Sequence, residues 1–296
     1  MKSRREPSRR EGLSRRAFIA GSIASAALTM PSRSRAGDRP FGFGLTPVFL
    51  TNDLELLAYL RSFLSARLDC PVELVSRRTY QEITALLVSG QIESAWICGF
   101  PYVQYRAVLD LVATPVWQGK PLYQSYLIVA ADRVAGDWGA LRGDIHAFSD
   151  PDSNSGFLVT RTLLAKNRLM PAAFFSRSFF TYGHRNVIRA VASGLAQSGS
   201  VDGYVYEVMR ETDPELVNQT RIVRRSEWLG FPPIASPKSL AADPRIGALQ
   251  QALLSMNESP DGQKALQLLR LDGFTPTDPS LFDTIAAEVE VVRQFG

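Results

Sequence analysis

After residue 40 the chain alternates short apolar runs, which are typical of strands, with amphipathic segments, which are typical of helices. Residues 41–48 predict a strand, and residues 53–68 then place apolar side chains on one helical face: Leu56, Leu57, Leu60, Phe63, Leu64 and Leu68. Further strands are predicted over residues 71–76 and 93–98, and a capping-box sequence, Thr79-Tyr80-Gln81-Glu82, begins a helix between them. This βαβαβ order predicts a parallel, doubly wound α/β sheet covered by helices.

A second α/β series follows a long strand predicted over residues 123–131. Its predicted elements are strands over 144–148, 178–182 and 202–206 and helices over 155–168 and 185–195. Three helices close the chain, over 244–256, 260–269 and 279–294. Because these helices have no sheet of their own to cover, we expect the chain to return to the first unit. The result is two lobes joined by two crossing strands, the first over 37–124 and 235–296 and the second over 125–234, with a ligand cleft between them.

The first 36 residues are predicted to be an export signal rather than part of the fold. Ser14-Arg15-Arg16-Ala17-Phe18-Ile19 resembles the twin-arginine signal, and the uncharged residues 17–32 are too short and too weakly hydrophobic for a membrane span. Ser34-Arg35-Ala36 supplies small residues where a signal peptidase cleaves. A basic, disordered tail is the alternative. We expect a periplasmic protein exported by the twin-arginine pathway, its leader either cleaved after Ala36 or kept as a tether.

The leader also accounts for the basic character of the whole chain, whose formal net charge is +4. It holds nine of the 33 Lys and Arg residues and two of the 29 Asp and Glu residues, which leaves 24 basic against 27 acidic residues and a charge near −3. A nucleic-acid partner, which would require a basic surface, is therefore not expected.

Two cysteines, Cys70 and Cys98, follow the leader, in a compartment where disulfides form. Cys70 precedes a predicted strand and Cys98 ends one, so in a parallel unit they lie at opposite edges of the sheet, much farther apart than the roughly 7 Å that a disulfide tolerates. We expect two free, mostly buried thiols. No His or Cys spacing suits a metal, and we expect neither a metal nor a cofactor.

The candidate chemistry begins at Asp150-Pro-Asp-Ser-Asn-Ser-Gly156, where short hydrogen-bonding side chains crowd the first turn of a predicted helix. A helix N-terminus offers unpaired N–H groups and the positive end of the helix dipole, so it binds anions without a charged side chain. Ser153, Asn154 and Ser155 add donors, and Gly156 lets the backbone approach closely. The alternative is an ordinary capped helix, for which one Ser or Asp would suffice.

A second feature favours a ligand site over a simple cap. The strand predicted over 178–182 ends in Gly183-His184, directly before a helix, and ligands of open α/β sheets collect at this edge. His184 and the serine-rich turn should therefore face one cleft. His146, inside a predicted strand, is expected to be structural.

These residues carry a resemblance to a known family. The Ser-Asn-Ser-Gly turn, the Gly-His pair, the Arg-Thr-Tyr-Gln stretch around Tyr80 and the run Ser-Ala-Trp-Ile-Cys-Gly-Phe-Pro-Tyr resemble, in order and spacing, the periplasmic phosphonate, phosphite and phosphate-binding proteins of ABC transporters. The resemblance runs from about residue 42 to 282. It implies the type II periplasmic binding protein fold, a small oxyanion ligand, a membrane permease as partner, a monomer and no catalysis.

The resemblance also implies ligand-binding roles for individual residues. Ser153, Asn154 and Ser155 would bind phosphoryl oxygens from the second lobe, with His184 donating beside them. Tyr80 would reach across from the first lobe. Two weaker candidates are Tyr102, for which packing on Pro101 is the alternative, and Asp202, for which a turn at a strand end is the alternative.

Three departures from the family pattern bear on the ligand. Asn154 replaces the usual Thr, and Ile97 and Cys98 stand where many relatives have a second Tyr. The Asp that resembles an amine partner in aminoalkylphosphonate binders is replaced near residues 230–233. These changes disfavour an aminophosphonate and leave a plain phosphonate, phosphite, phosphate or other oxyanion open.

Other functions remain open alternatives at this stage. An exported hydrolase could use Ser153 or Ser155 with His184 and Asp202, although the chain has no Gly-x-Ser-x-Gly elbow. The same fold could bind a sulfonate or a heterocyclic precursor, or could serve as a sensor.

Overall fold

The computed structural model describes residues 39–47 and 54–295. The predicted signal segment, residues 1–36, and its cleavage after Ala36 lie outside the described residues. Within the described ranges, no helix combines the length and apolar character that crossing a bilayer requires.

Strands and helices alternate along most of the chain, as the hydrophobic pattern predicts. The strands are β1 (Phe41–Leu45), β2 (Val72–Ser76), β3 (Ser94–Trp96), β4 (Leu109–Val116), β5 (Leu122–Tyr123), β6 (Ser125–Ala130), β7 (Ile145–Phe148), β8 (Arg177–Phe180), β9 (Ser198–Asp202), β10 (Thr220–Arg225), β11 (Leu229–Gly230), β12 (Ile234–Pro237) and β13 (Gly273–Thr275). The helices are α1 (Leu54–Leu68), α2 (Tyr80–Val88), α3 (Gly99–Tyr105), α4 (Val159–Lys166), α5 (Pro171–Phe174), α6 (His184–Ala192), α7 (Gly203–Thr212), α8 (Pro214–Val217), α9 (Pro244–Leu254), α10 (Pro260–Leu269) and α11 (Asp283–Phe295).

A six-stranded sheet in the order β13-β4-β12-β3-β1-β2 forms the first lobe. β1 pairs in parallel with β2 and with β3, which confirms the predicted βαβαβ unit. β12 returns from the far end of the chain and runs antiparallel to β3 and β4. Helix α1 buries Leu56, Leu60, Phe63, Leu64 and Leu68, whose spacing places them on one face.

A five-stranded sheet in the order β10-β6-β9-β7-β8 forms the second lobe. β7 lies in parallel between β8 and β9, whereas β6 is antiparallel to β9. The chain enters this sheet after β5 and leaves it before β11, and these two short strands pair with each other through Tyr123 and Leu229. The fold is thus α/β, with two lobes joined by two crossing segments; the residue limits of the lobes stay a prediction.

The strand predicted over 202–206 is wrong. The strand there is β9, which ends at Asp202, and helix α7 follows it at once. Asp202 caps this helix by accepting a hydrogen bond from Val205 N at 3.2 Å. The alternating Tyr204-Val205-Tyr206 sequence imitates a strand, but these residues are buried within a helical turn. The long strand predicted over 123–131 is also divided, into β5 and β6.

The two cysteines and His146 behave as expected. Cys70 and Cys98 are both buried and free, which confirms the prediction of unpaired thiols. His146 is fully buried in β7, and its ring stacks on Phe175. Its Nδ1 lies 2.8 Å from the Ser198 hydroxyl oxygen, and its Nε2 lies 2.8 Å from the Ser200 hydroxyl oxygen. Burial lowers the pKa of His146 to about 3, so the ring is a neutral part of the core.

Candidate functional site

Helix α2 brings Tyr80 from the first lobe towards the second. Thr79 caps the helix with the predicted capping box, in which its hydroxyl accepts from Glu82 N while the Glu82 carboxylate accepts from Thr79 N. Tyr80 is therefore fixed in the first turn. Its backbone N–H donates to Asp150 Oδ2 at 3.2 Å, and its phenol oxygen lies 3.2 Å from His184 Nε2. Both contacts join α2 to the second lobe.

The serine-rich turn begins with a π-helical segment, Asn154–Leu158, which continues into α4. Ser153 is its N-cap and accepts a hydrogen bond from Gly156 N at 3.0 Å. Only glycine fits at position 156 without a shift of its neighbours, because a Cβ there would lie 1.8 Å from Ser149 Oγ and 3.0 Å from His184 Cε1. The close backbone approach predicted for Gly156 is thus an approach to Ser149 and His184.

Asn154 and Ser155 are both buried and take part in further hydrogen bonds. Asn154 Nδ2 donates to the Tyr123 hydroxyl at 3.0 Å, and Asn154 N donates to Cys98 Sγ at 3.2 Å. Ser155 Oγ donates to Asp202 Oδ2 at 3.3 Å. Burial raises the pKa of the Cys98 thiol to about 12, so the sulfur stays protonated and neutral.

The hydrogen bonds of His184 fix its tautomer. His184 opens α6, and its Nδ1 accepts from the backbone N–H of Asp202 at 3.0 Å. Burial lowers the pKa of the ring to about 3, so the imidazole is neutral and carries its single hydrogen on Nε2. His184 therefore donates to the Tyr80 oxygen, and the phenol hydrogen of Tyr80 is left to donate elsewhere.

Asp202 is a buried carboxyl group at the junction of β9 and α7. Its hydrogen-bond donors, which are Ser155 Oγ and the backbone N–H groups of Val205 and Tyr204, are all neutral. These hydrogen bonds lower the pKa of the Asp202 carboxyl, but burial has the larger effect and raises it to about 7. Asp150 is also buried, and burial raises its pKa too.

Together these groups form one polar cluster between the two sheets. Each of its members is at most 3 % exposed; they are Tyr80, Cys98, Tyr123, Asp150, Ser153, Asn154, Ser155, His184 and Asp202. The structure thus brings together six of the seven sequence-predicted site residues, all except Tyr102. The ring of Tyr102 packs edge-on against Phe282 at 4.9 Å between centroids, and the charges that act on its hydroxyl belong to Arg106, Asp110 and Asp283.

Sequence reasoning missed three members of the polar cluster. Tyr123 was predicted only as the start of a strand, and nothing in its local sequence sets it apart. Cys98 was identified as the residue standing where relatives have a tyrosine, which was a usable signal. Asp150 lies in the singled-out turn, but its bond to Tyr80 N depends on long-range packing.

Two buried oxygen atoms beside this turn have no hydrogen-bond partner among the described residues: Ser149 Oγ and Asn154 Oδ1. Because buried polar groups are nearly always paired, these two atoms are an unsatisfied part of the turn. Among the described residues, no group of three or more His, Cys, Asp or Glu side chains is arranged to hold a metal ion.

The hydrogen bonds of the polar cluster do not make a hydrolytic triad. A triad needs a serine hydroxyl on one ring nitrogen of the histidine and a carboxylate on the other. Here His184 Nε2 contacts Tyr80 and its Nδ1 accepts from the backbone of Asp202. Ser155 contacts the Asp202 carboxylate directly. Neither serine therefore contacts His184, so the serine–histidine–carboxylate order of a triad is not formed.

A family model decides the classification. Residues 43–282 match the model of the phosphonate ABC transporter periplasmic substrate-binding protein. The chain belongs to this family. Its members are periplasmic proteins, and each is the substrate-binding component of an ABC transporter that also has a membrane permease. The resemblance drawn from the sequence is confirmed.

Solved structures support the same fold. A binding-protein component of an ABC phosphonate transporter from Pseudomonas aeruginosa is similar with a TM-score of 0.80 at 20% identity, covering 87% of this chain and 88% of that one. PhnD1 of Prochlorococcus marinus in complex with methylphosphonate is similar with a TM-score of 0.76 at 16% identity, covering 86% of this chain and 97% of that one. A Xanthomonas citri protein bound to ATP is similar with a TM-score of 0.69 at 18% identity, covering 86% of this chain and 98% of that one. These are type II periplasmic binding folds, and two of them hold ligands as different as methylphosphonate and ATP, so the fold alone does not name the ligand.

Proposed function

We propose that this family member captures a phosphonate, phosphite or phosphate oxyanion between its two lobes and delivers it to the permease of an ABC transporter. One observation carries the proposal: polar groups from both lobes meet in a single buried cluster, where Tyr80 contacts His184 and Asp150. The structurally similar PhnD1 of Prochlorococcus marinus, solved in complex with methylphosphonate, supports this ligand class.

The polar cluster supplies donors suited to an oxyanion. The phenol hydrogen of Tyr80 is free to donate, because its oxygen accepts from His184. Ser153 Oγ accepts from Gly156 N and keeps its own hydrogen to donate, at the positive end of a helix dipole. A ligand held by Tyr80 on one side and by Ser153, Asn154 and Ser155 on the other would stabilise the closed arrangement of the lobes.

The remaining candidates have supporting parts in this proposal. His184 orients the Tyr80 hydroxyl through its Nε2 hydrogen and can turn that hydrogen to the ligand when Tyr80 moves. Asp202 contacts Ser155 and so sets which way the serine hydroxyl points. Tyr102 packs beside α11 rather than in the polar cluster, so we assign it the lowest priority.

Titration of the purified protein, lacking residues 1–36, with phosphate, phosphite, methylphosphonate and sulfate tests the proposal. Binding should raise the melting temperature with the logarithm of ligand concentration over Kd when ligand is in excess, and calorimetry gives Kd directly. No shift and no heat with any phosphorus oxyanion would refute the proposed ligand class. Stabilisation by sulfate alone would keep the family and change the ligand.

The serine-rich turn has a matched control in this chain. Ser259 caps α10 by accepting from Gly262 N at 3.1 Å, the same bond that Ser153 makes with Gly156 N. Ser153→Ala and Ser259→Ala should each lose a helix cap, about 1 kcal/mol of stability. Only Ser153→Ala should also weaken oxyanion binding, by roughly tenfold to a hundredfold for one hydrogen bond to a charged ligand. Equal Kd values for the two variants would contradict a role for the turn.

A further inference from the structure

The carboxyl group of Asp150 joins the two lobes. Asp150 follows β7 of the second lobe and is buried. Its Oδ1 accepts from Asp152 N at 2.8 Å, within the serine-rich turn, and its Oδ2 accepts from Tyr80 N at 3.2 Å, at the start of α2 in the first lobe. Two N–H donors on two oxygens suit the ionised, acceptor-only form of the group. One carboxylate therefore holds a turn of one lobe and a helix of the other.

Tyr80 N needs an acceptor from outside its own helix, because the first N–H groups of a helix have no partner within it. The capping box provides for the neighbouring groups, since Glu82 N donates to Thr79 Oγ1 and Thr79 N donates to Glu82 Oε2. Tyr80 N is left to Asp150, and the dipole of α2 favours a negative group at this position. The bond between the lobes thus belongs to the charge-assisted class, which is stronger than bonds between neutral groups.

Asp150 is not suited to contact an oxyanion itself. A carboxylate has no hydrogen to donate, and it repels a negative ligand. Its two oxygens are already used by Asp152 N and Tyr80 N. Any contribution of Asp150 to binding must therefore come through the arrangement of the lobes. When the lobes separate, the bond within the turn survives, whereas the bond to Tyr80 breaks.

We propose that Asp150 is a positioning residue that clasps the two lobes. Its bond to Tyr80 N stabilises the closed arrangement before any ligand is bound, and this bond has to break before a ligand leaves. The inference rests on the proposed function for the place of the ligand between the lobes, and it names the group that sets the rate of release.

A native thiol reports the opening of the lobes without any ligand. Cys98 Sγ accepts from Asn154 N across the lobes at 3.2 Å, and burial raises its pKa to about 12, so the thiol is unreactive while the lobes are closed. Cys70, buried between α1 and β2 along the chain, serves as the internal reference. The ligand-free protein is labelled with a maleimide, and mass spectrometry follows the two cysteines separately.

Asp150→Asn removes the clasp and keeps the turn. The amide oxygen can still accept from Asp152 N, as asparagine does in such turns, but the NH₂ group then faces the Tyr80 N–H, and two donors do not bond. We expect Cys98 of the variant to be labelled about tenfold to a hundredfold faster than in the unmutated protein, for the loss of one charge-assisted hydrogen bond. Cys70 should be labelled at an unchanged rate.

Asp137→Asn is the matched control in the second lobe. Asp137 Oδ1 accepts from Gly139 N at 2.8 Å, the same local bond that Asp150 makes with Asp152 N, and this contact is exposed. The control should leave the labelling of both cysteines unchanged.

Release of bound phosphate tests the second part of the inference. Radiolabelled phosphate is bound, chased with unlabelled phosphate and followed by rapid filtration. Asp150→Asn should release it about tenfold to a hundredfold faster than the unmutated protein, and Asp137→Asn should release it at the original rate. Equal release rates for the two variants would overturn the role of Asp150 in release.

The labelling experiment separates this inference from the proposed function. Equal labelling of Cys98 in Asp150→Asn and in the unmutated protein would overturn the clasp and leave the proposed function intact. Faster labelling of Cys98, with no binding of any phosphorus oxyanion, would support the clasp and refute the proposed function. Faster labelling of both cysteines would mean that the variant unfolds. The ligand-free unmutated protein then decides: Cys98 protected at least tenfold relative to a cysteine in a short peptide supports the clasp, and an unprotected Cys98 overturns it.

Discussion

The phenol oxygen of Tyr80 lies 3.2 Å from Nε2 of His184, and the two residues stand 104 positions apart at the first residues of helices α2 and α6. Each helix follows a strand of a different sheet. The contact therefore joins two helix N-termini across the lobes, where their dipoles both favour negative charge. Because His184 uses its only hydrogen in this contact, the hydrogen of Tyr80 is the one free to reach a ligand.

Tyr80→Phe should weaken oxyanion binding with little change in fold. The variant removes one donor to a charged ligand and leaves His184 Nε2–H without its acceptor, so we expect Kd to rise roughly tenfold to a hundredfold. Tyr206→Phe is the control, since the Tyr206 hydroxyl is also buried but contacts Thr220. Calorimetry on both variants with the ligand identified for the unmutated protein makes the comparison. Similar Kd values for the two variants would argue against ligand contact by Tyr80.

Gly156→Ala should damage the turn itself. A Cβ at this position would overlap Ser149 Oγ, so the turn or β7 must shift, at a cost of about 1–3 kcal/mol. Gly247→Ala in α9 is the opposite case, because a Cβ there meets nothing within 4 Å and alanine favours a helix by roughly 0.5–1 kcal/mol. Denaturant unfolding should show opposite signs for the two variants. A Gly156→Ala protein that unfolds and binds like the original would contradict this geometry.

Regular patterns made much of the fold predictable. The face of α1 and the capping box of α2 are local features, and both are present as predicted. β9 escaped prediction because its sequence, Ser-Gly-Ser-Val-Asp, has small residues that are buried on both faces and do not alternate. Helix α7 was mistaken for a strand because Tyr204-Val205-Tyr206 alternates like one, although its cap Asp202 is a local signal for a helix start. Gly203 N also donates to Gln124 O, and such a contact between distant segments leaves no pattern in the local sequence.

The candidate site was predictable to the extent that it lies at helix N-termini. The polar turn and the Gly-His pair follow strands, and parallel strands end at one edge of a sheet, so their proximity could be predicted. The contacts of Asn154 with Tyr123 and Cys98 could not, because they depend on how one lobe packs against the other.

The twin-arginine route is a prediction about residues 1–36 and can be tested on a reporter. A folded fluorescent protein fused behind this leader should reach the periplasm, since the twin-arginine pathway carries folded cargo. Changing Arg15 and Arg16 together to Lys should abolish export. The same segment contains two further arginine pairs, Arg4-Arg5 and Arg9-Arg10, and replacing Arg9 and Arg10 by Lys is a control of equal charge that should leave export intact. Export that survives the first change would point to another route, and N-terminal sequencing would show whether cleavage follows Ala36.

Glu288 predicts a dependence of stability on pH that has no connection to the ligand. It lies on α11, against α4, where Thr162 Oγ1 donates to its backbone oxygen, and its carboxyl Oε2 is buried without a partner among the described residues. Burial raises its pKa from 4.5 to about 7, although Lys166 acts against the shift. The folded protein thus holds a proton that the unfolded chain has lost. The contribution of this group to stability is complete below pH 4.5 and is lost as the pH rises through about 7.

Glu288→Gln removes this titration while keeping the shape of the side chain. At pH 4 the variant and the original should have similar free energies of unfolding, and at pH 8 the variant should be more stable, by about 3 kcal/mol at most. Glu290→Gln, two positions along the same helix, is the control: the Glu290 side chain is half-exposed, and its contact with Arg293 lowers its pKa. That variant should gain nothing at pH 8. Urea unfolding at both pH values measures the difference, and a Glu288→Gln protein no more stable than the original at pH 8 would show that the carboxylate is hydrated or paired in solution.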